Sequence, residues 1–128
     1  MDALQLREGE LAVLRFESVD SPWRQGVWVG TDGILRVAET ASRSMDIWSD
    51  TSPREVQIHC ESSSTGVLTI YNIWNSGRKF GRHESQSHSS GMLVEELAGG
   101  GYRYRCQDIS VEPRFDRLVF TIRIIPAQ

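Results

Sequence analysis

Chemistry in this chain would have to come from two polar stretches. Residues 77–90 hold Arg78, Lys79, Arg82, His83, Glu84 and His88. Three bases against one acid give the stretch a formal charge of +2, leaving −5 on the rest of a chain whose net charge is −3. A basic patch on an acidic protein attracts a phosphate, a carboxylate or an acidic partner surface. Arginine's planar fork of donors matches carboxylate and phosphate geometry. A solvated loop accounts for the same composition, because all these side chains suit water. His83 and His88 add the residue type used in acid–base work and in transition-metal sites, with Glu84 or Asp108 as a carboxylate partner. Their spacing fixes no geometry in a loop, and no Cys/His pair accompanies them.

The second stretch, residues 107–116, places Asp108, Glu112 and Asp116 at four-residue intervals. Hard oxygen ligands on a loop are what calcium prefers, and Asp46 and Asp50 could add to them. The spacing does not follow the EF-hand pattern. The same carboxylates could serve as an acid–base pair, and with His83 and His88 they make a small acid–base enzyme the alternative to a binding protein. Aspartates that cap turns are the plainer reading. The closing segment, residues 115–124 (FDRLVFTIRI), resembles the last strand of some calcium-associated bacterial β-sandwich modules, with Arg117 where those carry an acid. That resemblance spans ten residues and implies only a β-sandwich with calcium nearby.

Nucleophilic chemistry has less to build on. Serines crowd residues 85–90 without a GxSxG elbow, and no nucleotide-binding glycine loop occurs. Cys106 has Arg105 beside it, which could lower a thiol pKa. Alternation instead puts Cys106 on the face of Tyr102 and Tyr104, so packing explains it. Cys60 and Cys106 lie in strand-like runs and in no metal spacing, and are read as buried free thiols, which fits a cytoplasmic protein. Trp23 and Trp48 fall between strands, where an exposed indole could stack on a sugar or fill a partner's pocket, or fold back over the core. Trp28 and Trp74 fall within strands and are read as core.

These residues need a scaffold, and the chain spells a β one. Period-two alternation dominates and period 3.6 is nearly absent. Strands are predicted at residues 10–18, 26–30, 34–38, 55–61, 67–75, 92–97, 102–107 and 117–125, although residues 3–16 also fit an amphipathic helix broken at Gly9. Thr31-Asp32-Gly33 and Gly99-Gly100-Gly101 read as hairpin turns, since glycine supplies positive φ. Residues 39–54 show little regular pattern. If successive strands run antiparallel, the turns at 31–33, 62–65 and 98–101 share one end. The connections at 19–25, 39–54, 77–90 and 108–116 share the other, and long connections gathered at one end are where sites are built.

The chain's 128 residues, 39% hydrophobic and 24% charged, fit one folded all-β domain over 1–128: an antiparallel sandwich or flattened barrel of about eight strands. The acidic balance argues against nucleic acid as a partner. No apolar run approaches the roughly 18 residues of a membrane helix, and the first residues carry no signal-peptide pattern. The expected function is a non-enzymatic binding module working through Trp23, Trp48, Arg78, Lys79, Arg82, His83 and His88. Its ligand would be an anionic small molecule, a glycan or a protein, with calcium at Asp108, Glu112 and Asp116 as the one cofactor suggested. Self-assembly into a homo-oligomer is a third possibility, because open sheet edges here have almost no lysine to guard them; Lys79 is the only lysine among 14 basic residues.

Overall fold

Alternation becomes nine antiparallel strands in the computed structural model, which describes residues 2–76, 85, 92–108 and 115–127. They are β1 (Asp2–Gln5), β2 (Leu11–Val19), β3 (Arg24–Val37), β4 (Thr40–Trp48), β5 (Glu55–Ser62), β6 (Val67–Asn75), β7 (Met92–Glu96), β8 (Tyr102–Cys106) and β9 (Leu118–Ile125). No described residue is helical, so no helix is long and apolar enough to cross a membrane. The strands form one sheet in the order β1-β6-β3-β5-β2-β9-β8-β7, with β4 along β3. The sheet curls into a half-barrel until its far strands meet, and the Tyr104 hydroxyl of β8 donates to the Asp2 carboxylate of β1 at 2.8 Å. An all-β flattened barrel is therefore the architecture.

The inner faces follow the alternation closely. Ala12, Leu14 and Phe16 of β2 meet Val56, Ile58 and Cys60 of β5 and Leu118, Phe120 and Ile122 of β9 in one buried cluster. Register shifts between Phe16 and Ser18, so Glu17 is extra and reaches Arg103 at 2.6 Å. Cys60 and Cys106 are buried free thiols. Residues 3–16 form no helix: β1 pairs with β6, and Leu6 goes into the core behind it.

Two expectations around β3 are corrected. Thr31-Asp32-Gly33 does not close a hairpin; it is an excursion within β3. Pairing with β4 jumps from Gly30↔Ser44 to Leu35↔Ser42. β4 follows one edge of β3 throughout, while the other edge pairs first with β6 (Arg24 to Gly30) and then with β5 (Ile34 to Arg36). The turn chemistry is used to hold that changeover. Asp32 accepts hydrogen bonds from the hydroxyls of Ser63, Ser64 and Thr65 and from the N–H groups of Ser64 and Thr65. A Cβ on Gly33 would lie 1.9 Å from the Ser62 carbonyl oxygen, so only glycine fits. The true reversal is at Ala38 and Glu39, where Ala38 takes a φ of 53°, conspicuous for a residue with a Cβ. Residues 39–54 are likewise not irregular, because β4 occupies most of them. Only Ile47 of that strand is fully buried, so hydrophobic alternation barely marks it.

These corrections break the expected alternation of direction: β5 and β6 lie end to end on one edge of β3, both antiparallel to it, so residues 63–66 join two strands of the same sense along β3. Contacts nevertheless gather one end of the fold, where Asp108 meets Ser21 and Gln25, the Ser49 N–H donates to the Gln25 carbonyl and the Phe16 N–H donates to the Arg54 carbonyl.

Candidate functional site

At that end, the described candidates divide into an aromatic–ionic group and a buried polar group. Trp48 of β4 lies across Gly26 of β3, where a Cβ would come within 2.9 Å of its ring. The Arg24 guanidinium stands 4.4 Å from the ring centroid, and its Nε donates to both Asp50 oxygens at 2.7 and 2.9 Å. Both Trp48 and Trp23 are half-buried. The Trp48 indole thus has Arg24 on it, an arrangement of cation–π type. Trp74 is core as expected, whereas Trp28 is half-buried on the outer face, stacked on Tyr71 at 4.6 Å. It points outward because Val27 and Val29 take the inner positions.

Asp108 follows β8 directly and turns into the protein, with its side chain fully buried. Its Oδ2 accepts from Ser21 Oγ at 2.5 Å and from Gln25 Nε2 at 2.9 Å, and Arg117 Nε lies 4.0 Å from Oδ1. Asn72 donates to the Gln107 carbonyl at 2.8 Å beside it. Asp116 is exposed. Among the described residues, no three His, Cys, Asp or Glu side chains gather as a metal site would require. Glu112, Arg78, Lys79, Arg82, His83 and His88 lie outside the described residues.

A groove of about 630 Å³ runs instead along the side of the half-barrel, where β3 leaves β5. Glu10, Arg36, Val37, Ala38, Pro53, Glu55, Gln57, His59 and Glu61 are among its lining residues. Its origin is topological. β3 pairs with β5 only through Ile34, Leu35 and Arg36 before reversing at Ala38, so among the described residues no strand continues beside Glu55 and Gln57. Cys60 N–H donates to the Glu10 carbonyl and Phe16 N–H to the Arg54 carbonyl, which turns the even-numbered residues of β5 toward β2. In an antiparallel ladder the intervening residues then turn their N–H and C=O groups the other way, into the groove.

Charge in the groove is mixed but mainly acidic: Glu10, Glu55 and Glu61 against Arg36. Arg36 Nε donates to Glu61, which holds the Glu61 carboxyl below its ordinary value and raises the Arg36 guanidinium. Burial pushes the Cys60 thiol up, which keeps it protonated and a poor nucleophile. His59 faces outward opposite Arg36, as its place in the alternation of residues 55–61 implies. The alternation thus identifies the outward set, but nothing in it reveals that β3 stops short. Comparisons with protein-family models, curated proteins and solved structures return no match to this chain.

Proposed function

We propose that this protein is a non-enzymatic binding module that takes an extended peptide along the free edge of β5. The carrying observation is the groove beside Glu55 and Gln57, where a sheet edge has lost its neighbour after three paired residues. A strand laid there would find backbone donors and acceptors already aligned, with Val37, Ala38 and Pro53 for its apolar side chains and three carboxylates for basic ones. Binding is favoured over acid–base catalysis by the state of the lining groups: Glu61 is held by Arg36, and the Cys60 thiol is kept protonated. The two buried thiols accord with a reducing, cytoplasmic setting.

The test is an amide-resolved NMR titration with a pentapeptide of alternating lysine and valine. Shifts confined to Arg36 and to Glu55 through Glu61 are expected, and Gln57→Pro should remove them. Proline there deletes a donor that faces the groove and leaves the ladder to β2 intact. Shifts elsewhere, or a titration unaffected by Gln57→Pro, would overturn the reading.

A further inference from the structure

The opposite edge of the sheet carries a different feature. Among the described residues β7 pairs with β8 alone, and its Leu93 and Val94 are 52% and 49% exposed. The other exposed large apolar residues among those described, Val19 and Val67, are isolated on separate strands. Leu93 and Val94 are adjacent, so they point to opposite faces: Val94 shares the inner face with Tyr104, and Leu93 the outer face with Arg105. No element packed on one face could cover both. An added strand could, because its own side chains flank both faces.

We propose that this added strand is β7 of a second copy, paired antiparallel about a two-fold axis at Val94. The backbone has the phase this needs. Leu97 N–H donates to the Gly101 carbonyl, which by alternation turns Leu93 and Glu95 toward β8 and leaves the N–H and C=O groups of Met92, Val94 and Glu96 facing outward. Two-fold pairing at Val94 sets Met92 against Glu96 of the other copy and Val94 against its equivalent, so every outward group meets an outward group. The inner row becomes Tyr104, Val94, Val94, Tyr104 across the junction. No like charges stand opposite each other: each Glu95 faces a Leu93 and already has Arg103 at 3.5 Å and Arg105 at 3.8 Å within its own chain. Parallel pairing in register would instead oppose Glu95 to Glu95. Closure by a two-fold axis ends the assembly at a dimer, and the short contact makes that dimer weak.

Sedimentation equilibrium from roughly 10 µM to 1 mM tests this. The wild type should shift from monomer to dimer. Val94→Lys and Val94→Glu, each placing like charges opposite one another, should weaken association by at least about tenfold. An equimolar mixture of the two variants should associate again. In the wild type, amide exchange at Met92, Val94 and Glu96 should slow at high concentration, a reading that needs no variant. A monomer across the whole range, or a dimer that neither substitution weakens, overturns the proposal and leaves this edge to a strand from a different protein or to none. Neither result bears on the β5 groove, which is tested separately.

Discussion

Asp32 is an exposed carboxylate doing structural work that charge alone would not reveal. Donors from Ser64, Ser63 and Thr65 hold its acid dissociation well below the ordinary value of 3.8. The folded state therefore favours the ionised form, and the associated stability is present above that ordinary value and is lost as pH falls toward the lower folded one. Glu61 and Glu17 are lowered by Arg36 and Arg103 and act in the same direction. Thermal melts between about pH 7 and pH 2 should show the wild type losing stability on the acid side. Asp32→Asn should start from a lower midpoint at neutral pH, and its gap to the wild type should narrow as pH falls. A gap constant across the series would show that the Asp32 charge plays no part in holding the corner between β5 and β6.

At the scale of elements, Asp108 joins three pieces of chain that the sheet alone does not hold together. Ser21 precedes β3, Gln25 lies within it, and Arg117 precedes β9. The carboxylate serves all three from a fully buried position. Removing it leaves the Ser21 and Gln25 donors without this acceptor and the Arg117 guanidinium without its neighbouring counter-charge, a situation that costs about 3 kcal/mol or more. Asp108→Ala should lower the melting midpoint by that amount whether or not a chelator is present. An Asp108→Ala protein as stable as wild type in chelator, and inferior only when calcium is added, would instead favour the calcium reading. The same scale explains β3. One long strand serves β6 and then β5, and the changeover requires Gly33, whose backbone presses on Ser62 too closely for any side chain.

Across the whole molecule, curling brings the second residue of the chain against β8. Tyr104 is fully buried, stacks on Phe120 at 4.9 Å and reaches Asp2 with its hydroxyl. Burial, with the Asp2 charge adding to it, pushes the phenol far above its ordinary range, so it remains a donor at all working pH values. Tyr104→Phe keeps the ring and loses only the bond, and should cost about 1 kcal/mol, a shift of several degrees. Asp2→Ala should cost little more once Tyr104 is already phenylalanine, and a double-mutant cycle reads that coupling. Strictly additive losses would mean that the contact does not help to close the half-barrel.

Alternation by itself determined the all-β class, most of the strands and their inner faces. Val56, Ile58 and Cys60, or Leu118, Phe120 and Ile122, alternate because a half-buried strand permits little else. Alternation did not determine which connections share an end, because residues 63–66 join two strands that both run antiparallel to β3. What it left open depends on partners distant in sequence. Thr31-Asp32-Gly33 is as good a hairpin turn as a bulge, and only Ser62 to Thr65, thirty residues on, selects the bulge. β4 has one fully buried side chain and is a strand because β3 lies beside it. Trp28 faces outward because its neighbours Val27 and Val29 face the core. Asp108 reads as a loop carboxylate until Gln25 and Ser21 are brought to it. The groove beside β5 and the edge of β7 are places where pairing among the described residues stops, and a strand's own residues encode its alternation but not where its neighbour ends.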